Sequence, residues 1–216
     1  MLDNVQAPFL IEKPTLADVS FTSFRKAYPV PDGGMVQKKE LDLPSYHDAA
    51  KFSQYKIAAS YLKEKRTCGY YDDDIYLDLY HRGEESIDDN YDTAPSDYTL
   101  RVFGNLDIRG IADLRKRNTS YIMSGLSKIG LKPCIDISGN DVPLFVPILL
   151  NDRDKVRKAM FSNNIFLPVH WPVEERMKKD LKRGLYMSQH ELSIIIDHRY
   201  SISDMDRILK VLEDNV

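Results

Sequence analysis

Hydrophobic and polar positions along the chain follow two different periods, which predict both strands and helices. Short runs of β-branched and aromatic residues at 17–24 and 34–38 lie on either side of a proline- and glycine-containing turn, and this pattern predicts two strands. Residues 45–66 and 106–129 carry apolar side chains at helical spacing, and Gly130 follows the second run as a glycine that ends a helix. We therefore predict a mixed α/β chain.

The part of the sequence after Gly130 alternates between short apolar runs and amphipathic runs. The strands predicted there cover residues 131–137, 142–150, 165–169 and 192–196. The helices predicted there cover residues 152–163, 173–183 and 204–214. Ser203, three residues before Asp206, supplies a capping box for the last helix. An alternation of this kind predicts a compact α/β layer.

Composition and charge exclude several classes of protein. The 216 residues are 43% hydrophobic and 29% charged, which describes a folded chain with one sizeable core, or one domain with part of another. A net charge of −3 gives neither a nucleic-acid footprint nor strong attraction to an anionic membrane. The sequence shows no leader peptide and no run long enough to cross a bilayer, so we expect a cytoplasmic protein with no nucleic-acid or membrane partner.

The cysteines and histidines give no support for a metal site. Cys68 and Cys134 lie far apart without CxxC spacing, and the histidines lack the spacing of known metal-ligand motifs. We therefore expect reduced thiols and no bound metal.

Lys26 is the residue at which covalent chemistry is most plausible. It lies where a predicted strand gives way to a loop, ahead of the sequence Asp32-Gly33-Gly34. A lysine at a loop end can reach a carbonyl group, and small neighbours leave room for a flat cofactor. A solvated lysine before a hairpin turn fits the same local pattern, so the choice depends on the rest of the sequence.

Three stretches of the sequence resemble one enzyme family. The segment SFTSFRKAYPVPDGGMV, residues 20–36, resembles the Schiff-base segment of the DegT-type sugar aminotransferases, which use pyridoxal 5′-phosphate (PLP). LDNVQ, residues 2–6, is similar to the family's ED-x-A-(H/Q) motif. Residues 106–216 resemble its C-terminal domain through Asn118 and Tyr121 on a long helix, VPILLNDRDKVRKAMFSNNIFLPVHWP, and LSIIIDHRYSISDMDRILKVL.

The resemblance implies an α/β, aspartate-aminotransferase-like PLP fold. Residues 1–105 would be a remnant of the PLP-binding large domain, with helices and an acidic loop, and residues 106–216 the small C-terminal α/β domain led by a long helix. Family members carry roughly another domain's length ahead of the ED-x-A-(H/Q) motif. We therefore expect the sequence to be the C-terminal part of an aminotransferase.

The resemblance also implies roles for individual residues. Lys26 would be the catalytic lysine that bonds to PLP and then moves protons at the substrate carbon. Asp3 would keep the pyridine nitrogen protonated, Gln6 would contact the ring or its phenolic oxygen, and either Ser20 or Ser23 would bind the phosphate.

Two residues of the small domain are candidates for binding substrate. His170 and Trp171 follow an apolar run, at the end of the small domain that lies near the active-site mouth in similar proteins. They are candidates to contact a sugar or its nucleotide. The alternative is that Trp171 packs in the core of the small domain with its indole N–H satisfied.

Two functional hypotheses remain open from the sequence. The first is a PLP-dependent transaminase, or the C-terminal part of one, in polysaccharide biosynthesis. It would move an amino group from an amino acid, with glutamate as the expected donor, to a nucleotide-linked keto-sugar. It would act as a homodimer or together with a separate N-terminal half. The second is a non-catalytic aminotransferase-like remnant that serves assembly or binding.

Overall fold

A computed structural model describes residues 1–11, 15–38, 40, 52–70, 74–87, 93–170, 173–177 and 179–216. These residues form two compact units, Met1–Leu106 (unit 1) and Asp107–Val216 (unit 2). The boundary drawn from the sequence lies after residue 105. The strands are β1 (Leu2–Asp3), β2 (Val19–Ser23), β3 (Gly34–Lys38), β4 (Phe145–Leu149) and β5 (Glu191–Ile195).

Seven α-helices lie within the described ranges, together with short 3-10 turns. The helices are α1 (Phe52–Thr67), α2 (Ile75–Glu85), α3 (Asp97–Phe103), α4 (Ile108–Lys128), α5 (Arg153–Ser162), α6 (Lys182–His190) and α7 (Ile202–Glu213). The 3-10 turns are Pro8–Leu10, Phe24–Lys26 and Glu175–Met177. Among these helices, none combines the length and apolar character needed to cross a membrane.

Unit 1 contains a three-stranded sheet in the order β1-β2-β3. β1 runs parallel to β2, with Leu2 opposite Ser20 and Asp3 opposite Phe21. β3 is antiparallel to β2 and pairs along its whole length, from Val19 opposite Lys38 to Ser23 opposite Gly34. The parallel pairing means that β1 and β2 both end at the same edge of the sheet.

The helices α1 and α2 of unit 1 pack closely against each other. Gly83 of α2 is buried, and a Cβ atom at this position would lie 3.0 Å from Cγ of Lys56 on α1. The absence of a side chain at Gly83 therefore lets the stem of Lys56 pass between the helices. Long aliphatic stems of this kind contribute apolar packing as well as charge.

Unit 2 has a continuous apolar core. The antiparallel pair β4 and β5 forms a two-stranded sheet, and Val146 and Ile148 on β4 pair with Ile194 and Leu192 on β5. The remaining large core side chains come from the helices and connecting loops, and they include Ile122, Leu126, Val156, Met160, Leu167, Met205, Ile208 and Leu212. Each fully buried aliphatic side chain of this type stabilises the fold by about 1.5–3 kcal/mol.

Side-chain caps fix the starts of α4 and α5 in unit 2. The carboxylate of Asp107 accepts a hydrogen bond from Gly110 N–H at the start of α4, and that of Asp152 accepts one from Lys155 N–H at the start of α5. Gly130, just after α4, has φ = 74°, a left-handed conformation that glycine adopts without steric cost. The predicted glycine that ends this helix is therefore confirmed.

Two predicted strands of the C-terminal part are wrong. Within 131–137, Pro133 forms only an isolated bridge with Ile148, and proline cannot donate the hydrogen bond that would extend a ladder. Residues 165–169 are not a strand either, although the carbonyl of Pro168 accepts a hydrogen bond from Ser193 N–H at 3.1 Å.

One predicted helix and one predicted cap are also wrong. In place of a helix over 173–183, the described residues show a 3-10 turn and the start of α6 at Lys182. Met177 and Leu181 stay exposed there, so no apolar burial supports a longer helix. The capping box of α7 is formed by Ser201 and Asp204, because the helix begins at Ile202 and Ser201 is therefore its N-cap residue. Asp206 accepts a hydrogen bond from the hydroxyl of Tyr121 at 2.5 Å.

Candidate functional site

The carboxyl-terminal edge of the β1–β2 pair carries the two residues on which the sequence argument depends. Asp3 is the last residue of β1, and Lys26 ends the 3-10 turn that directly follows β2. The ladder continues one residue past β1, because Asn4 N–H donates to the carbonyl of Phe21 at 2.8 Å. Both Asp3 and Lys26 are exposed. The parallel register therefore brings a carboxylate and an amine to one edge of the sheet.

The chain after β1 turns sharply and fixes the carboxylate of Asp3. Its Oδ1 accepts a hydrogen bond from Val5 N–H at 2.8 Å, and Ala7 N–H donates to the carbonyl of Asn4 at 2.9 Å. An aspartate that bonds to the backbone two residues ahead is a common way to stabilise such a turn. Gln6 lies exposed in this turn, three residues after Asp3.

The two serines considered for phosphate binding lie on opposite faces of β2. Ser23 is two residues from Phe21, which is paired with Asp3, so Ser23 shares the face of Asp3. Ser20 faces the other way, is 1% exposed, and donates its hydroxyl to Oε1 of Gln37 on β3 at 3.2 Å. The geometry thus favours Ser23 over Ser20 as a ligand of a group bound beside Asp3.

An aromatic cluster supports the turn that carries Lys26. Phe24 is buried beneath this turn and stacks on Phe103 of α3, with ring centroids 4.1 Å apart. Tyr28 packs edge-on against both rings and also against Phe9. Aromatic pairs of this geometry contribute about 0.5–1.5 kcal/mol beyond their buried area. The backbone at Lys26 therefore lies on a packed base.

The sequence Asp32-Gly33-Gly34 closes the loop after Lys26, and the structure gives a physical reason for each of these three residue types at its position. Gly33 has φ = 84°, a conformation that favours glycine, and a Cβ atom there would lie 3.1 Å from Thr99 and 3.2 Å from Phe24. A Cβ atom on Gly34 would overlap the carbonyl oxygen of Thr22 on the paired strand. The buried Asp32 accepts a hydrogen bond from Ser96 N–H at 3.1 Å, which ties the loop to the start of α3.

Charged groups from the α1–α2 hairpin lie near Lys26. Oε1 of Glu84 on α2 accepts hydrogen bonds from Lys56 on α1 and, at 3.2 Å, from Arg25 beside Lys26. Lys56 is only 4% exposed. The hydrogen bond from Lys56 is the largest effect and lowers the pKa of Glu84; burial is the next largest and raises it, and the charges of Arg25, Lys56 and Lys26 lower it further. Glu84 thus stays ionised and joins the hairpin to the lysine turn.

These residues can be tested for their fit to PLP. The lysine offers an amine for an aldehyde, the aspartate offers a carboxylate for a pyridine nitrogen, and Ser23 offers a hydroxyl on the face of Asp3. Directly after Asp3, the amide Nδ2 of Asn4 is buried without a hydrogen-bond partner, so one further donor at this edge is unused. An amine, a carboxylate and a hydroxyl are thus of the chemical types that the aldehyde, the ring nitrogen and the phosphate of PLP would require.

His170 belongs to unit 2 and has its own network. Its Nδ1 lies 2.9 Å from the hydroxyl oxygen of Ser193, and its backbone N–H donates to Oε2 of Glu191 at 2.8 Å. The ring also packs against Phe145 of β4, with centroids 4.7 Å apart. Trp171 lies outside the described residues, so its predicted role stays a prediction.

Sequence reasoning missed several residues in each unit that lie near a predicted site residue of the same unit. Asn4, Glu84 and Lys56 were not singled out, and neither were Glu191 and Ser193 beside His170. Only Asn4 had a visible signal, because it lies inside the LDNVQ stretch. The others reach their partners through long-range packing that no local pattern reveals.

Comparisons with known proteins show which fold the chain shares. No protein-family model matches the chain, and no curated protein matches its sequence. Among solved structures, a DegT DnrJ EryC1 StrS aminotransferase from Brucella abortus aligns with a TM-score of 0.58 at 14% identity, over 98% of this chain and 56% of its own. A Streptococcus pneumoniae protein assigned as a sugar aminotransferase aligns in its PMP form with a TM-score of 0.56 at 13% identity, over 98% of this chain and 57% of its own.

The apo form of the Streptococcus pneumoniae protein aligns to the same extent, with a TM-score of 0.58. The chain therefore has the fold of the DegT-type aminotransferases over somewhat more than half of their length. The α/β class and the aspartate-aminotransferase-like fold expected from the sequence are confirmed.

Proposed function

We propose that the chain is the lysine-bearing part of a PLP-dependent sugar aminotransferase. The observation that carries this proposal is the parallel register of β1 and β2, which puts Asp3 and Lys26 at one edge of the sheet. The likeness of fold to sugar aminotransferases, one of them solved in a PLP form, supports it. The chain spans about 56% of the length of these structures, so the activity is proposed for the protein with its remaining part.

Each residue at the sheet edge has a proposed task. PLP, when bound, supplies an electron-withdrawing ring that stabilises charge at the substrate carbon. The amine of Lys26 holds the cofactor and then accepts and returns a proton at that carbon. The carboxylate of Asp3 keeps the ring nitrogen protonated, because a nearby negative charge favours the protonated form. Gln6 contacts the ring, and Ser23, or Ser20 as the less favoured choice, binds the phosphate.

The proposed substrates are an amino-acid donor, with glutamate as the expected one, and a nucleotide-linked keto-sugar used in polysaccharide biosynthesis. His170 and Trp171 are proposed to contact the sugar substrate. The protein is proposed to act in the cytoplasm as a homodimer, or with a separate N-terminal half. The likeness to sugar aminotransferases supports this choice of substrate class.

Trapping of the cofactor tests the proposal. The purified chain is mixed with PLP, reduced with borohydride, and digested, and the modified lysine is identified by peptide mass. We expect modification concentrated at Lys26 and a visible absorbance band that Lys26→Arg abolishes, because arginine keeps the charge but cannot bond to the aldehyde. Lys38→Arg, a matched change of an exposed lysine on β3, should leave both signals unchanged.

The second functional hypothesis predicts a different result. If the chain is a non-catalytic remnant, PLP should label exposed lysines without preference, and Lys26→Arg should change nothing. A separately expressed N-terminal half from a similar aminotransferase, added in trans, should raise the Lys26-dependent band only if the first hypothesis holds. The absence of a Lys26-dependent band both with and without that half would contradict the transaminase proposal.

A further inference from the structure

Three positively charged side chains act on one carboxylate at the turn that carries Lys26. Oε1 of Glu84 on α2 accepts a hydrogen bond from Lys56 on α1 and one from Nη1 of Arg25 at 3.2 Å. The hydrogen bond from Lys56 lowers the pKa of Glu84 most, and the charge of Lys26 is near enough to lower it further. Among the described residues, Glu84 is the one carboxylate that forms an ion pair with Arg25 or Lys56. Three cations thus share one carboxylate.

Two further carboxylates belong to the same part of unit 1, and both have backbone partners. Oδ1 of Asp32 accepts a hydrogen bond from Ser96 N–H at 3.1 Å, and Oδ1 of Asp3 accepts one from Val5 N–H at 2.8 Å. Neither forms an ion pair with a lysine or arginine in the part of the chain that the structure describes. The ion pairs of this turn therefore depend on Glu84.

Arg25 keeps most of its hydrogen-bonding capacity for another group. A guanidinium has five N–H groups in a planar fork, and the hydrogen bond to Glu84 uses one of those on Nη1. The side chain is 38% exposed, so a ligand can reach it. The hydroxyl of Ser23, at the start of the same turn, forms no capping bond to a backbone N–H. A charged fork and a hydroxyl therefore lie two residues apart at the end of β2.

The α1–α2 hairpin fixes the position of this fork. Lys56 is 4% exposed, and its stem packs against Gly83 on α2. The carboxylate of Glu84 is therefore held at a buried point and binds Arg25 from there. The buried ammonium also adds positive charge that salt screens less than a surface charge.

We propose that Arg25 and Ser23 form a binding site for a phosphate group beside Lys26. Glu84 and Lys56 are the positioning residues for Arg25. A phosphate monoester carries a charge of about −1.5 to −2 at neutral pH and three acceptor oxygens, two of which match the guanidinium fork. The third oxygen can accept from the hydroxyl, whereas a carboxylate has a single charge and no third oxygen. The site therefore favours phosphate over carboxylate ligands.

Two molecules of the proposed reaction carry such a group, and the choice between them rests on the proposed function. One is PLP, whose aldehyde would bond to Lys26. The other is the nucleotide-linked sugar, which carries a diphosphate. In the first case, Arg25 would add a charge-assisted hydrogen bond to the contact assigned to Ser23.

Titration with inorganic phosphate tests the site without cofactor or substrate. Backbone amide shifts of the full chain are followed by NMR at constant pH and ionic strength, because salt screens exposed charges. We expect saturable shifts concentrated at residues 23–28, and weaker binding of acetate. Arg25→Gln should raise the dissociation constant for phosphate about tenfold, because a charge-assisted hydrogen bond is lost.

Arg66→Gln is the matched control. It removes the same charge from unit 1, and Arg66 also forms an ion pair, from Nε to Oδ1 of Asp74 at 3.0 Å, with a similar exposure of 42%. Phosphate binding should not change in this variant. Three results would overturn the proposal: no saturable shifts in wild type, equal binding of acetate and phosphate, or a loss in Arg25→Gln no larger than in Arg66→Gln. The wild-type titration decides even if a variant does not fold.

A comparison of PLP with pyridoxal, which lacks the phosphate, tests whether the cofactor is the source. Lys26 is trapped with borohydride in both cases, and its label is normalised to that on Lys38, an exposed lysine of β3. If the phosphate of PLP binds at Arg25, the normalised label from PLP should exceed that from pyridoxal about tenfold, and Arg25→Gln should remove the preference.

Uridine diphosphate, used as a representative nucleoside diphosphate, tests the second source. If it shifts the amides of residues 23–28 in wild type and not in Arg25→Gln, and PLP shows no preference, the nucleotide is the source. If neither response is seen, the assignment of the phosphate to the proposed reaction is wrong. A Lys26 that neither aldehyde labels would contradict the proposed function and not the site, because the phosphate titration is independent of Lys26 chemistry.

Discussion

The two units of the chain bury different kinds of side chains. Unit 2 buries a contiguous set of aliphatic residues around β4 and β5. In the described part of unit 1, polar and charged residues make up much of the buried set, and only a few buried residues are apolar. The buried polar and charged residues are Asn4, Ser20, Thr22, Asp32, Ser53, Lys56, Ser96 and Thr99. Apolar burial is the main source of folding free energy, whereas a buried polar group is neutral or costly unless it is paired.

This difference indicates how each unit is stabilised and which of the two carries the candidate site. Unit 2 has the composition of an ordinary core, so substitutions there should act on its stability in proportion to the volume removed. Unit 1 depends on specific pairs and turns, such as Glu84 with Lys56 and Asp32 with Ser96. The candidate site at Asp3 and Lys26 lies in the unit that depends on these pairs. Its geometry should therefore be sensitive to changes that barely alter volume.

The largest effect is expected from a cavity in the core of unit 2. Ile122 on α4 is fully buried, so Ile122→Ala should lower the free energy of unfolding by about 4 kcal/mol through lost transfer energy and a residual cavity. Chemical denaturation followed by tryptophan fluorescence measures this, because the single tryptophan belongs to this part of the chain. Ile122→Val, which removes one methyl group, is the graded control at about 1 kcal/mol.

A loss below about 1 kcal/mol for Ile122→Ala would contradict the comparison between the units. It would mean that the neighbours of Ile122 close over the cavity, and that unit 2 does not depend on close packing as its burial pattern indicates.

In unit 1, the removal of one charge without a change of volume should have the next largest effect. Glu84→Gln removes the carboxylate that contacts the buried ammonium of Lys56, which should cost about 2 kcal/mol after allowance for the partial exposure of Glu84. Lys56→Met is the matched control, because it replaces the buried amine by an apolar side chain of similar shape and should be nearly neutral. Denaturation followed by the far-ultraviolet circular dichroism of the helices measures both.

The pH dependence of this pair has a definite sign. The folded pKa of Glu84 is lowered, so its contribution is complete above the unfolded pKa and is lost as pH falls through the folded value. The difference between wild type and Glu84→Gln should therefore be constant near neutrality and shrink in acid. A difference that grows in acid would contradict the pairing of Glu84 with Lys56.

A buried ion pair of unit 2 should give a smaller effect. Asp197 accepts hydrogen bonds from Nε and Nη2 of Arg199 at 2.9 and 3.0 Å, and from the buried Arg115 at 3.4 Å. Burial alone would raise the pKa of Asp197, but the hydrogen bonds from Arg199 and the charges of both arginines outweigh it and lower the pKa. Asp197→Asn keeps the shape and should cost about 1 to 2 kcal/mol at neutral pH.

The sign of this contribution follows from the lowered pKa. The stabilisation by Asp197 is complete above the unfolded value of 3.8 and disappears as pH falls through the folded value. Unfolding measured from neutral pH downwards should therefore show wild type and Asp197→Asn converging in acid. Curves that stay parallel would show that the charge of Asp197 does not contribute.

The strongly periodic parts of the fold could be predicted from the sequence. The long helix was placed at 106–129 and is found at Ile108–Lys128, because its apolar stripe spans several turns. The predictions of short strands were wrong where a single hydrogen bond decides whether a strand forms. This is the case at Pro133 and Pro168, which offer a carbonyl but no N–H. The helix α3 was missed because it has only 7 residues and is set by the cap of Ser96 on Thr99.

The candidate site could be named from the sequence only through the resemblance. The resemblance singled out Lys26 and Asp3, but their meeting at one sheet edge depends on the parallel pairing of two short strands that no periodicity encodes. Glu84 and Lys56 come from a helical hairpin far along the chain, and nothing in their local sequence distinguishes them from surface charges. The roles of Asp3, Gln6, Ser20, Ser23 and Lys26 stay predictions.

The smallest expected effect is the difference in stability between alanine variants of two serines at the start of α7. This difference tests how the helix is capped. Ser201 accepts a hydrogen bond from Asp204 N–H, and Asp204 in turn accepts one from Ser201 N–H at 2.9 Å. Ser201→Ala should therefore cost about 1 kcal/mol. Ser203→Ala, at the position favoured by the sequence pattern, should cost a few tenths at most, because its hydroxyl contacts only that of Ser201 among the hydrogen bonds found here. Thermal unfolding of the two variants side by side measures the difference. Equal losses would contradict the assignment of Ser201 as the cap of α7.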